Sequence, residues 1–271
     1  MISREEFNKI PHTYVAFIDM LGVSEATKKP TMEQILKGNE LETISEFVSD
    51  LCRIYPKINA YGFSDSHVLI SNSFDDLILF LILLFQISVI MRDFRLRAGI
   101  EIGNCHYYEV KVPPKNYISL PFLYGDALTG AYEAEKTLKG SRIVCGYLLS
   151  ELIEKKVLPK NPDYENFFKK TVLSYKENLI QDEEYKEIFT SANVIDKYVY
   201  EINWFMLTEE IKNIYKLLNE KVEHLGLNKC YHMPCKDTIE NRIKRWIELS
   251  KIEPYYPQIM LGLLYSFEIL K

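Results

Sequence analysis

The chain lacks what several protein classes require. It has only 11 Gly and 11 Pro in 271 residues, which excludes collagen-like and long low-complexity architectures. Its five cysteines (Cys52, Cys105, Cys145, Cys230 and Cys235) are odd in number in a chain of this length, so no disulfide framework is expected. It lacks an excess of positive charge: 33 Lys and Arg stand against 38 Asp and Glu, a formal net charge of −5. That balance argues against a protein that grips nucleic acid by bulk electrostatics. A small polyanion stays within reach, because metal ions and a few local cations can hold one. The first residues, MISREEFNK, have no apolar core, so no secretory signal is read and a cytoplasmic location is expected. No membrane partner is expected either. The longest apolar run, Leu77 to Met91, has 15 residues and contains Gln86, whereas a span needs roughly 20. Ser73, Asp75 and Asp76 mark a helix start before it, so the run predicts a helix buried against a sheet.

What is present is an ordinary globular composition, 47% hydrophobic and 26% charged, enough to bury a core. Tyr14–Ile18 reads as a strand ended by Asp19 and Gly22. From about Met32 to Tyr55, apolar residues including Ile44, Phe47, Val48 and Leu51 recur at helical spacing, and Pro56 closes the segment. Strands follow at Lys57–Gly62 and His67–Ser71, joined through Phe63, Ser64, Asp65 and Ser66. After the buried helix, Arg95–Ile102 alternates as a strand. The order βαββαβ predicts an α+β fold with a ferredoxin-like core. Beyond it the sequence predicts a loop with Pro113 and Pro114, a helix from Gly125 to about Leu138, and a strand at Arg142–Cys145. A short helix to about Lys155, an aperiodic stretch 156–190 and a last strand at Lys197–Phe205 complete the core. The boundaries expected are a main domain at 10–205 and a helical C-terminal extension at 206–271, packing on the core or on a second subunit.

Two carboxylates stand out in that order. Asp19 lies where the first strand ends, and Asp65 lies in the connection between the second and third strands. In a ferredoxin-like sheet the first strand is central with the hairpin beside it, so the two can converge at one end. Paired carboxylates with backbone oxygens form a hard-oxygen site suited to Mg²⁺ or Mn²⁺ and nucleotide phosphates. Taken singly, each also reads as a turn or hairpin cap. Cys230, His232 and Cys235, with His224 upstream, have a spacing too loose for a structural zinc site, and a loop between tail helices accounts for them better.

Here the sequence resembles a family. Phe17-Ile-Asp-Met-Leu-Gly-Val-Ser24 is similar to the first metal motif of the class III nucleotidyl cyclases, and Tyr61-Gly-Phe-Ser-Asp65 falls where that family has its second metal aspartate. Leu96-Arg-Ala-Gly-Ile-Glu-Ile-Gly103 resembles the family's Leu-Arg-Val-Gly-Ile-x-x-Gly strand. Tyr124-Gly-Asp-Ala-Leu-Thr-Gly-Ala-Tyr-Glu-Ala-Glu135 resembles its active-site helix. The resemblance implies a homodimer with nucleotide sites at the subunit interface. It implies two divalent ions, Mn²⁺ or Mg²⁺, on Asp19, Asp65 and the Met20 carbonyl, and a triphosphate on the backbone of Gly22, Val23 and Ser24. The reaction implied is attack of the ribose 3′-hydroxyl on the α-phosphate.

The departures from the family narrow this. The Lys that reads adenine is replaced by Tyr61, and its Asp partner by Phe122. A pocket without that polar pair does not select adenine in the usual way. The family's helix Asn is Thr129, and its transition-state Arg is Glu133, which leaves Arg97, Lys136, Lys139 and Arg142 as candidate cations. Arg97 reads equally as a phosphate ligand or as a structural ion pair. This pattern of replacement resembles the bacterial pyrimidine cyclases of Pycsar anti-phage defence. It implies that UTP or CTP is converted to its cyclic monophosphate, with the product read by a separate effector. A degenerate nucleotide-binding or dimerisation module, a purine cyclase and a polymerase-palm relative remain as alternatives.

Overall fold

The protein is described from a computed structural model, which covers residues 12–21, 39–92, 95–109, 121–138, 140–158, 168–172 and 198–204. The architecture is α+β, and the expected βαββαβ core is present. Strand β1 (Thr13–Met20) is followed by helix α1 (Asn39–Ile54), strands β2 (Ile58–Phe63) and β3 (Ser66–Ser71), helix α2 (Phe74–Arg92) and strand β4 (Leu96–Gly103). Strands β5 (His106–Glu109) and β6 (Pro121–Tyr124) come next, then α3 (Asp126–Thr137), β7 (Ile143–Cys145), α4 (Tyr147–Glu154), β8 (Phe168–Val172) and β9 (Tyr198–Ile202). The main sheet runs β2-β3-β1-β4-β7-β9-β8, antiparallel except for the parallel pair β4 and β7. β1 is therefore central, with the hairpin on one side and β4 on the other, as the sequence predicts.

Alternation along the strands sorts the two faces of the sheet. On one face Tyr14, Ala16, Ile18 and Met20 of β1 join Leu96, Ala98, Ile100 and Ile102 of β4 in the larger core, under α1 and α2. α1 contributes Ile44, Phe47, Val48 and Leu51, an i, i+3, i+4, i+7 stripe. α2 starts with the Ser73 hydroxyl accepting the Asp76 N–H at 3.3 Å, and from Leu77 to Phe85 every residue is buried. A helix apolar on all sides belongs in the middle of a core. Its Gln86 is accommodated because the amide donates to the Trp204 carbonyl at 2.7 Å, while Phe85 packs on the Trp204 ring. Among the described residues no helix is long and apolar enough to cross a membrane.

The opposite face holds a smaller cluster, Val15, Val68, Ala127 and Ala131, beneath α3. Gly99 brings α3 unusually close: a Cβ there would lie 1.9 Å from the Ala131 carbonyl oxygen and 2.4 Å from the Glu135 nitrogen. Two residues along β4, the buried Glu101 carboxylate accepts the backbone N–H groups of Leu148 and Leu149 at the start of α4 and of Ile102. It serves as an N-terminal cap supplied from another strand. Burial raises its carboxyl above the usual range, and those three N–H bonds oppose the rise.

The structure departs from the sequence reading in two places. Part of the predicted loop is the β5–β6 ribbon, whose four-residue strands are too short to show an alternating period. β8 lies in the stretch read as aperiodic and pairs with β9 from Phe168↔Ile202 to Val172↔Tyr198. The expected helical extension 206–271, with His224, Cys230, His232 and Cys235, lies outside the described residues.

Glu101→Ala is expected to cost about 2 kcal/mol at neutral pH, because it strips the cap from buried N–H groups. A carboxyl raised in the folded state makes folding more favourable as it protonates. The stability gap between wild type and variant should therefore widen on acidification from neutral through the carboxyl range. Urea unfolding across that pH range measures both effects.

Candidate active site

The odd-numbered residues of β1 and β4 that face α3 carry the predicted chemistry. Asp19 follows Val15 and Phe17 on this face, and Arg97 precedes Gly99 and Glu101. Asp19 is paired directly with Ser66 on β3 and with Arg97 on β4. Asp65 occupies the tight turn of the β2–β3 hairpin, whose Ser64 has a φ of 56°. The Met20 N–H donates to the Asp65 carbonyl at 3.3 Å, which ties the end of β1 to that turn. The structure thus brings Asp19, Met20, Asp65 and Arg97 to one end of the sheet.

Asp19 sits half-buried among competing influences. Burial pushes its carboxyl above the usual range, and the neighbouring Asp65 charge pushes the same way. The Ser66 hydroxyl, which donates to Oδ1 at 3.2 Å, the Arg97 guanidinium and the Met20 N–H act against them. Arg97 Nη2 stands 3.6 Å from Asp19 Oδ2, while its Nε is ion-paired with Oε1 of Glu135, a buried residue of α3. Burial likewise raises the Glu135 carboxyl, with Arg97 opposing and Asp19 adding. Glu135 is the member of this cluster that sequence reasoning missed. It lay in plain view at the end of the helix motif, but its partner is 38 positions away on β4.

The aromatic part of the site differs from the pairing expected. Tyr61 stacks on Tyr107 of β5, with ring centroids 5.1 Å apart and planes inclined by 27°. Burial, then Tyr107 and Cys105, raise its phenol. Phe122 pairs across the ribbon with Tyr108, whereas Tyr107 pairs with Leu123, so Phe122 faces away from the Tyr61 stack. Tyr107 thus takes the position beside Tyr61 where Phe122 was expected. Its signal in the sequence is faint, one of two adjacent tyrosines.

Thr129 lies exposed on α3, its hydroxyl donating to the Gly125 carbonyl at 3.2 Å, and Glu133 is exposed one turn further on. Of the cations weighed as replacements, Arg142 donates to both oxygens of Glu201 on β9, and Lys136 lies over the Tyr132 ring. Gly22, Val23, Ser24 and Lys139 lie outside the described residues. Among the described residues no group of three or more His, Cys, Asp or Glu gathers as a ready metal cage.

No family model matches the chain, and no curated protein matches it. The chain is similar to several solved structures. The guanylate cyclase domain of RhGC from Catenaria anguillulae, in complex with GTP, is 12% identical with a TM-score of 0.48, over 71% of this chain and 96% of that one. An adenylate cyclase of Trypanosoma brucei in its monomeric state is 14% identical with a TM-score of 0.48, over 72% and 92%. The adenylyl cyclase CyaB from P. aeruginosa is 12% identical with a TM-score of 0.47, over 70% and 93%.

Ser66→Ala removes a hydrogen bond that favours the ionised Asp19, so the Asp19 carboxyl should titrate at still higher pH than in wild type. Carboxyl-carbon NMR titration of Asp19 in the two proteins measures this, and an unchanged or lower midpoint would contradict the assignment.

Proposed function

We propose that this chain is a nucleotidyl cyclase that converts UTP or CTP to the 3′,5′-cyclic monophosphate and pyrophosphate. It works as a homodimer in the cytoplasm with two divalent ions, Mn²⁺ or Mg²⁺, and supplies a second messenger in anti-phage defence to a separate effector that senses cyclic pyrimidine nucleotides. The observation that carries this reading is the placement of Asp19 at the end of β1 beside the hairpin turn that holds Asp65, whose charge reaches the Asp19 carboxyl.

The donor set fits a hard divalent cation. Two carboxylates and the Met20 carbonyl offer oxygen ligands only, and such ions complete their shell with water and phosphate oxygens. When bound, the ions would neutralise phosphate charge and favour ionisation of the ribose 3′-hydroxyl. The chain's own residues do the rest. Ser66 holds the Asp19 carboxylate through Oδ1, and the Arg97 guanidinium stands 3.6 Å from Oδ2. Backbone N–H groups at Gly22, Val23 and Ser24 receive the triphosphate. The 3′ oxygen bonds to the α-phosphorus, the bond to pyrophosphate breaks, and the 3′ proton passes to solvent. Tyr61 and Tyr107 offer the base a stacking surface in place of an adenine-reading polar pair, which argues against selection of adenine. Thr129 stands on the helix that would flank the triphosphate. Tyr108, Phe122 and Tyr124 are each more than half exposed on the β5–β6 ribbon, which supports burial against a second copy.

A second reading, a degenerate nucleotide-binding module, is favoured by Glu133 at the expected cation position and by the ion pairing of Arg97 with Glu135. One experiment separates them. Purified protein is incubated with Mn²⁺ and each of ATP, GTP, CTP and UTP, beside an Asp19→Ala/Asp65→Ala control, and products are resolved by chromatography and mass. A cyclic UMP or CMP peak is expected, reduced by about a thousandfold or more in Asp65→Ala with the fold retained. Cyclic purine product would move the function to a purine cyclase, and a linear product would point to a polymerase-like enzyme. Nucleotide binding without product would establish the module.

A further inference from the structure

Asp19 and Arg97 face each other directly across β1 and β4. Opposite charges so placed ordinarily close into a hydrogen-bonded pair, at about 2.7–2.9 Å between nitrogen and oxygen. Here the nearest gap is 3.6 Å. The guanidinium Nε is ion-paired instead with Glu135 Oε1. Glu135 is 1% exposed and comes from a helix seated without clearance on Gly99, so it is a fixed anchor. A guanidinium is a planar fork, and engaging one edge fixes the direction of the others. Oδ1 of Asp19 takes the Ser66 hydroxyl, while Oδ2 is left facing Arg97 beyond hydrogen-bond reach.

We infer that Glu135 is a positioning residue that holds Arg97 back from Asp19, keeping that carboxylate open to a divalent cation. The inference rests on the reading of Asp19 as a metal ligand. A carboxylate clasped in full by arginine has its lone pairs engaged by the fork and carries a cation beside it that repels an incoming ion. With Glu135 neutralised, Arg97 is free to close on Asp19. The ion pair seen across α3 and β4 then does more than brace the helix, because it sets how readily the site loads. It also explains why an arginine can stand beside a metal-binding aspartate without occupying it.

The test uses the full chain and Mn²⁺ alone, with free Mn²⁺ followed by electron paramagnetic resonance, so that no turnover is needed. Glu135→Gln should weaken Mn²⁺ binding about fivefold, the order expected for one half-buried charge pair. In an Arg97→Gln background the same change should move the Kd by less than about twofold, since the residue it acts through is gone. An equal loss in both backgrounds would mean that Glu135 acts by its own charge, and would overturn the inference. So would an unchanged Kd in Glu135→Gln with a lowered urea midpoint, which is the behaviour of a purely structural bridge. If Glu135→Gln fails to fold by circular dichroism, the neutral pair Arg97→Gln/Glu135→Gln decides. Binding at least as tight as wild type supports the inference, and weaker binding overturns it. Wild type that binds no Mn²⁺, or an Asp19→Asn variant that binds as well as wild type, would instead remove the metal reading and this inference with it.

Discussion

The seating of α3 on β4 is the constraint from which the site follows. At Gly99 there is no room for even a methyl group between strand and helix. That contact sets the height of α3 above the sheet, and with it the reach of Glu135 to Arg97. Asp126 strengthens the seat at the other end of the helix, accepting the Asn104 N–H at 2.7 Å. A strand residue with any side chain would lift the helix, and the charged cluster would open to solvent. The site is therefore built from a packing decision as much as from its charges.

The two faces of the sheet divide the work. The α1–α2 face is apolar and thick, and its alternating residues carry the bulk of hydrophobic burial. The α3 face has a thin apolar patch and then turns polar toward the end of β1. Burial is the largest influence on the Asp19 and Glu135 carboxyls and raises both, with the Arg97 charge opposing it. A thinner core on this side keeps Asp19 within reach of water while holding its neighbours fixed.

Much of this was legible in the sequence, and the reasons are physical. β1, β4 and α1 carry clear periods, α2 is an uninterrupted apolar run with a capped start, and the hairpin is bounded by small polar residues. Their order alone places Asp19 beside Asp65. What was not legible depends on tertiary approach. Strands of four residues show no period, so β5 and β6 passed for loop, and with them Tyr107 as the partner of Tyr61. The Arg97–Glu135 pair needs the depth of α3 over Gly99, a quantity no spacing rule contains. Glu101 as a cap for α4 is the same kind of fact, a carboxylate serving N–H groups 47 and 48 positions away.

Trp204 has a consequence for where this protein can be divided. Its indole N–H donates to the Ser141 carbonyl, its own carbonyl receives Gln86, and its ring lies against Phe85 in the centre of α2. The last described residue is thus a keystone set into the middle of the molecule, bridging the long buried helix and the turn before β7. A cut just after Trp204 would leave these contacts at a chain end. Force applied at Trp204 itself would be felt first at Phe85, Gln86 and Ser141.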